Sequence, residues 1–488
     1  MRGTPGPRAH SAGDVKESRA SHSDAGSVGR RFLTLGGGEA VARLSAFAAT
    51  VYLARTLSPA MYGVVGVVMG VLLYLSQLAD GGIELVGVPL VTRSRDRVSD
   101  VAGPILSIRF ILALVLVAIV VVVGLGVLPQ PDGVILTIAA FSLPLTALSV
   151  RWIHIGLERT AGIAVARTAG ELIALLVIVL FVHGAGDVAF VPLALFIGSA
   201  VTSFFLLVSL QRSGIRLEWK WAPLEVAPIL VRSRRLVAFT VLGLVLFNFD
   251  LIYLRIRSGA EAAGFYAAAY TMISFAANLI VAFAHTVLPT LTRLEQDVTK
   301  RSALYETVCA QAYALALPVG VGTWYVSGQV IEQVFGRAYL PGVIALQWLA
   351  IGIPLAALRE LPVVALIAAG REGALIRINA IAAACNVALV LASVPRYGLA
   401  GAAGATAATE LIRLALASHF AHKSGYPVVP IRRLFKSSVG SAVMVAALVA
   451  VAPRTLWTSV PLGVATYLVS MILLRAIRLN GRVPSLSV

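Results

Sequence analysis

The chain has 488 residues, is 58% hydrophobic and 13% charged, and carries a formal net charge of +17 with a mean hydropathy of +0.89. Soluble domains sit near a quarter charged, so this composition excludes an ordinary soluble enzyme or binding module. From about Phe32 to Arg478, apolar runs of roughly twenty residues succeed one another, each matching the ~30 Å hydrocarbon core of a bilayer spanned as a helix.

Taken in order, residues 1–31 are polar, basic and rich in Ser and Gly, and are expected to form a disordered cytoplasmic tail. No short apolar region with a cleavage site precedes the first span, so no signal peptide is expected. About fourteen spans of bilayer length follow. They centre near Ala46, Met69, Leu116, Leu143, Leu172, Gly198, Leu246, Phe275, Leu315, Pro354, Ala384, Glu410, Ala446 and Tyr467. Spans holding Pro144, Pro192, Pro318 and Pro354 need neighbouring helices to satisfy the freed backbone groups. Of the 40 Lys and Arg, 27 fall in the tails and loops of one side, six on the other, and seven within spans. The positive-inside rule therefore puts both termini in the cytoplasm, with Gly184-Ala185-Gly186 and Arg337 outside. The same rule absorbs a pI of 10.4 that would otherwise suggest nucleic acid, which is not expected as a partner.

The chain repeats itself at an offset of about two hundred residues. Tyr52 and Tyr253 stand 201 apart, as do Gly63 and Gly264, and Pro89 and Pro289 close the following spans at nearly that offset. Six spans separate the copies, so both halves face the same way, with a pseudo-two-fold axis along the membrane normal. The expected architecture is all-α and polytopic. It comprises a six-helix lobe over residues 32–212, a basic cytoplasmic linker over 213–235, a second six-helix lobe over 236–422, and two additional helices with a short tail over 423–488. Two facing bundles place a substrate site at their interface and work by alternating access, which a structural scaffold would not need.

Seven arginines lie within spans (Arg43, Arg109, Arg151, Arg167, Arg359, Arg377, Arg413), with six acids (Glu39, Asp80, Glu171, Asp250, Glu360, Glu410). Each costs at least ~2.5 kcal/mol at a helix centre, so such groups face a bundle interior or a wet cavity. Arg151 and Arg377 sit near cytoplasmic ends, where a long side chain can snorkel. Asp80, before Gly81-Gly82, marks a span end. Glu39 with Arg43, Arg167 with Glu171, and Glu410 with Arg413 are spaced to share one helical face. They either neutralise each other or form ion pairs that exchange partners when a charged ligand arrives. Arg109 and Asp250 have no same-helix partner. Asp250 is a candidate cation site, or else pairs across helices with Arg255 or an arginine of the other half. Guanidinium forks suit a lipid diphosphate, whereas an acidic, aromatic cavity suits organic cations.

No G-x-x-x-x-G-K-[ST] loop or H-E-x-x-H pair is present, and Gly36-Gly37-Gly38 opens a membrane helix with no preceding strand. His154 and His285 are expected at the interface, and Cys309 and Cys385 as small core residues without disulfide or metal-ligand spacing. No enzyme, cofactor or metal is expected.

Several short pieces resemble one family in order and spacing. They are Leu35-Gly36-Gly37-Gly38-Glu39; Tyr52 to Pro59 with Tyr62-Gly63; Asp80-Gly81-Gly82-Ile83; Gly156-Leu157-Glu158-Arg159; Asn248-Phe249-Asp250 with Gly264-Phe265-Tyr266; and Ala369-Gly370-Arg371, Asn386 and Pro395 through Ala403. Together they resemble the polysaccharide-exporter branch of the multidrug/oligosaccharidyl-lipid/polysaccharide superfamily, the O-antigen-type flippases. The resemblance implies two MATE-like lobes in a bacterial inner membrane, moving a polyprenyl-diphosphate-linked oligosaccharide while its tail stays in membrane lipid. It implies Arg43 and Arg109 alone on the diphosphate. As arginines within spans, Arg167, Arg359 and Arg413 are further substrate-binding candidates. Glu39 and Asp250, then Glu171 and Glu410, are candidates for coupling to H⁺ or Na⁺. A polysaccharide polymerase and glycosyltransferases are implied as partners. A drug or metabolite exporter of the same superfamily and a non-transporting assembly subunit are the alternative readings.

Overall fold

The structure is a computed structural model that describes residue 38 and residues 40–93, 98–294, 297–478 and 485–486. The expected tail and Glu39 lie outside the described residues. Helices dominate the rest. They are α1 (residues 40–56), α2 (Pro59–Asp80), α3 (Ile83–Arg93), α4 (Val98–Gly126), α5 (Asp132–Ala140), α6 (Leu143–Ala147), α7 (Arg151–Gly156), α8 (Thr160–Phe181) and α9 (Phe190–Arg212). There follow α10 (Pro223–His285), α11 (Leu288–Arg293), α12 (Val298–Val330), α13 (Val343–Ala368), α14 (Glu372–Lys423), α15 (Ile431–Val451) and α16 (Leu456–Leu473). A two-residue antiparallel ladder pairs Ile477 with Leu486.

Local chemistry explains where the helices start, stop and turn. The Ser58 hydroxyl accepts from Met61 N–H at 3.3 Å and Pro59 occupies the first turn, so α2 begins with a side-chain cap and a residue already set for helix. It ends at Asp80, as expected, with Gly81 left-handed (φ 60°) and its N–H on Gln77 and Leu78 carbonyls. α10 and α14 are each two helices joined at a kink, at Gly259 (φ 92°, ψ 175°) and Gly398 (φ 53°, ψ −124°). Only glycine enters those regions without strain. α10 starts at Pro223, inside the stretch expected as a linker.

Ten helices or helix groups among the described residues are long and apolar enough to cross a membrane. That is fewer than fourteen, partly because hydrogen bonding runs on through the kink in α14. Each of the fourteen expected centres nevertheless falls in its own helical segment once α10 and α14 are divided at their glycines.

One buried cluster joins the two halves, drawing on Tyr62, Val64 and Val68 of α2, Leu251, Tyr266 and Ala268 of α10, and Phe335 and Tyr339 beyond α12. Separate clusters fill the first half (Val91, Ile105, Trp152, Leu206) and the second (Leu291, Tyr305, Leu361, Ala417). A fourth ties α15 and α16 to α12 through Met444, Leu448, Tyr467 and Ala314. Lipid is as apolar as leucine, so these helices associate by close packing rather than by the hydrophobic effect, which accounts for the many buried alanines. The two repeats pack backbone against backbone at a pair of glycines. A Cβ on Gly63 would lie 2.0 Å from Ala260 O, and one on Gly264 would lie 1.9 Å from Pro59 O. Ala260 stands 201 residues after Pro59, just as Gly264 follows Gly63, so each copy presents the same glycine to the same carbonyl of the other. The pseudo-two-fold axis passes through this crossing.

Candidate functional site

Behind the glycine crossing lies a cavity of about 400 Å³ between the two halves. α1 contributes Ala46, Ala49, Thr50 and Leu53; α2 contributes Tyr62, Gly66, Met69 and Leu73; α8 contributes Glu171 and Ala174; α10 contributes Asn248, Leu251, Tyr266, Tyr270 and Thr271. Its wall is chiefly apolar and aromatic, and Glu171 is the charged residue among these lining groups. One end is shut by the crossing and by an aromatic cluster, in which Tyr339 meets Tyr62 edge-on at 5.8 Å, Phe265 at 6.2 Å and Phe335 at 5.9 Å.

A smaller polar pocket of about 250 Å³ adjoins it and shares Glu171, Ala174 and Leu195. Arg167 and Glu171 project into it beside the hydroxyls of Thr146, Ser149, Ser199, Thr202 and Ser203. The expected common face of Arg167 and Glu171 is therefore present, turned toward a hydroxyl-rich space. Such a space can hold water or a polyol, whereas the larger cavity offers mainly apolar contact.

Asp250 is fully buried just behind the wall of the larger cavity. The Tyr266 hydroxyl donates to its Oδ2, Thr406 Oγ1 donates to the same oxygen at 2.7 Å, and Leu251 N–H reaches Oδ1 at 2.8 Å. Tyr266 itself lines the cavity, with its ring stacked on Tyr270 at 6.1 Å. The carboxylate thus lies one side chain from the cavity, held by neutral donors. The cross-helix partner considered for it is engaged elsewhere: Arg255 makes a two-pronged bond to Asp132, with Nε and Nη2 each 3.0 Å from a carboxylate oxygen. Nothing in the sequence marked Tyr266 or Thr406 as its donors; the nearer of them is 16 residues away.

The five arginines proposed for a substrate do not converge on one wall. Arg43 is exposed on α1, about a turn before Ala46 of the lining. Arg109 is buried within the first half, with Nη2 2.7 Å from Asp80 Oδ1 and 3.4 Å from Thr146 O. Asp80 therefore closes a span and also neutralises this guanidinium. Arg359 and Arg413 belong to a network in the second half. Arg359 Nη1 meets Glu360 at 2.9 Å, its Nε meets Glu410 at 2.9 Å, and Arg413 Nη1 meets the other oxygen of Glu410 at 2.6 Å. The expected Glu410–Arg413 pair is thus one edge of a four-residue cluster. Arg167 alone of the five lines a pocket described above.

One other polar group departs from its sequence reading. His154 is buried rather than interfacial, with Nδ1 3.1 Å from Val150 O, because the segment carrying it packs into the first half's core beside Trp152. His285 has no described side chain. Arg377 lies over the Phe420 ring at 5.4 Å and donates to Gly373 O, so its stem is partly covered.

The site thus consists of two halves related by repeat, a cavity between them, and a buried carboxylate behind its wall. Comparison with known proteins agrees on the fold. The lipid II flippase MurJ in an inward closed conformation superposes with a TM-score of 0.74 at 15% identity, over 90% of this chain and 98% of that one. An inward-facing multidrug resistance MATE family transporter of the MOP superfamily gives 0.62 at 15% identity, over 78% and 94%. A MOP superfamily transporter from Pyrococcus furiosus, described as having a binding pocket of reversed polarity, gives 0.52 at 15% identity, over 80% and 93%. No curated protein matches the chain. The family described as polysaccharide biosynthesis protein matches residues 28–295, more than half the length, and the chain is a multi-span membrane protein of that family, with a fold similar to those of the MurJ and MATE structures.

Proposed function

We propose that the protein flips a polyprenyl-diphosphate-linked oligosaccharide from the cytoplasmic to the periplasmic leaflet of a bacterial inner membrane. It does so by alternating access, with both termini cytoplasmic, and serves surface polysaccharide biosynthesis. The observation that carries this reading is the cavity shared by both halves and shut at one end by the reciprocal glycine crossing. By the distribution of Lys and Arg, the shut end faces the periplasm. The family match supports a glycan as the cargo. The hydroxyl-rich pocket with Arg167 and Glu171 suits a sugar head, and Arg43 stands where a diphosphate would enter. The prenyl tail stays in lipid, and glycosyltransferases and a polymerase act before and after the flip. Asp250 couples the cycle to H⁺ or Na⁺, its carboxylate gaining or losing the cation as Tyr266 moves with the cavity wall.

The test is leaflet exchange of a short polyprenyl-diphosphate oligosaccharide in proteoliposomes with imposed pH or Na⁺ gradients. Flipping above protein-free liposomes is expected, and Asp250→Asn is expected to abolish its gradient dependence. Exchange no faster than in empty liposomes removes the flippase reading. A gradient response unchanged in Asp250→Asn removes the coupling role. One observation favours a second reading, a cation-coupled drug or metabolite exporter. The larger cavity is aromatic, with Tyr62, Tyr266 and Tyr270, and has Glu171 as its charged lining group, which suits an organic cation. Uptake of a fluorescent organic cation in the same vesicles separates the two.

A further inference from the structure

The closed end of the cavity is bridged by two arginines related by the repeat. Arg255, in the second half, grips the Asp132 carboxylate at the start of α5 in the first half, and the pair is only 21% and 13% exposed. Arg55, 200 residues earlier, reaches the other way. Its guanidinium donates to the Gln333 carbonyl and, at 2.7 Å, to the Val334 carbonyl, just beyond α12. Gln333 stands 201 residues after Asp132. Donor and acceptor therefore both obey the repeat, and the two arms are equivalent in place but not in chemistry.

The inequality has a cause in the structure. Where the first copy has a carboxylate, the second has an amide, which cannot form an ion pair. The Gln333 side chain points elsewhere, its Oε1 accepting from Leu456 N–H at 3.2 Å, at the first residue of α16. Arg55 then takes the backbone carbonyl. That carbonyl is available because residues 331–335 form a π-helical turn ended by Gly336 (φ 103°), and the last carbonyls of a helix lack helical donors. They also form the negative end of the helix dipole, which favours a cation. The turn is clamped a second time by the same hairpin: Gln329 Nε2 donates to Pro453 O at 2.6 Å, and Ser459 Oγ donates to Gln329 Oε1 at 2.7 Å. α15 and α16 have no counterpart in the first copy.

We infer that the α15–α16 hairpin is a third body in gating: by holding Gln333 it presents the carbonyl that Arg55 grips, and so it controls one of two arms keeping the outer end of the cavity shut. This rests on the alternating-access reading above, but its test needs no substrate. In a variant with Cys309 and Cys385 replaced by alanine, Thr50→Cys places a reporter thiol in the cavity wall. Its labelling by an impermeant maleimide, added from the side carrying Ser58, measures opening of that end.

Asp132→Asn cuts the ionic arm. Gln333→Ala cuts the hairpin's hold on the other. Leu456→Pro removes the one N–H concerned, at a helix position that tolerates proline. Each is expected to speed labelling about tenfold, equivalent to about 1.4 kcal/mol. Leu456→Pro combined with Gln333→Ala should give no more than either alone, whereas Asp132→Asn should multiply with either. Unchanged labelling in Leu456→Pro and Gln333→Ala, beside faster labelling in Asp132→Asn, overturns the hairpin's role. Unchanged labelling in all three overturns the latch. Labelling of Gly186→Cys in a parallel set, on the loop between α8 and α9, checks that each variant is folded and inserted. Failure of substrate flipping with the labelling pattern intact counts against the proposed cargo and not against the latch.

Discussion

Arg109 has two possible employments, and its pairing with Asp80 allows them to be separated. The ion pair is 2.7 Å long, with side chains 5% and 13% exposed, inside the first half. Removing one member of a buried pair costs about 3–5 kcal/mol, because the other charge is left uncompensated, while replacing both by apolar groups of similar size is often neutral. The two single changes are not equivalent. Arg109→Met leaves a carboxylate, which can take up a proton and escape part of the penalty. Asp80→Leu leaves a guanidinium, which stays charged at any working pH. We expect about 3 kcal/mol from Arg109→Met and nearer 5 from Asp80→Leu, with the double variant recovering all but about 1 kcal/mol. Reversible denaturation in mixed micelles measures this, and export of polymer in cells is scored beside it. Additive losses in the double variant would refute the pair as an energetic unit. A double variant that is stable yet exports nothing would return Arg109 to the substrate; one that is stable and active makes the pair structural.

Four further outcomes follow from the geometry. Gly63→Ala and Gly264→Ala each force a Cβ to within about 2 Å of a facing carbonyl; a stability loss of about 1–3 kcal/mol is expected, read by the same denaturation, together with faster Thr50→Cys labelling from the closed end. Glu410→Gln should cost about 3–5 kcal/mol, since one carboxylate serves both Arg359 and Arg413. Arg359→Lys should lose less, because an ammonium keeps the charge but cannot hold Glu360 and Glu410 in the same fork geometry. Gly186→Cys should react with an impermeant reagent in intact cells, and protection there would overturn the assigned orientation.

What was legible in the sequence follows from the range of the interactions involved. A twenty-residue apolar run is a local property, so each expected span centre lies in a helical segment. The repeat was legible as spacing, Gly63 with Gly264, but spacing does not say that the two glycines touch; that follows only once two copies face each other across an axis. Asp250 stood out because a carboxylate in a span is costly. Its donors did not, since tyrosine and threonine are unremarkable in a membrane helix and Thr406 lies 156 residues away. Arg109 and Arg359 were read toward a substrate, and the carboxylates of Asp80 and Glu410 that meet them come from other helices, 29 and 51 residues off, beyond any helical periodicity; the adjacent Glu360 gave no sign that it folds back onto Arg359. Asp132 drew no reading from the sequence, and its partner Arg255 was considered instead for Asp250.

The departures from symmetry bear on how such a molecule can work. An axis along the membrane normal exchanges the two halves but not the two sides of the membrane, so it imposes no requirement that the halves remain chemically alike. Asp250 in the second copy stands where the first has Ala49, and Gln333 stands where the first has Asp132. Both changes alter one half without disturbing the shared crossing at Gly63 and Gly264, where a substitution in either copy would press on the other. Under the proposed division of labour, the second half carries the cation and answers to the hairpin, and the first half carries the hydroxyl-rich pocket with Arg167 and Glu171. If that division is right, the symmetric exchange Ala49→Asp with Asp250→Ala should not restore coupling. Ala49 lines the cavity itself, so a carboxylate there would face the cargo rather than sit behind Tyr266 and Thr406. Gradient-driven flipping in that double variant would show that the position in the repeat, and not the surrounding hydroxyls, makes the site.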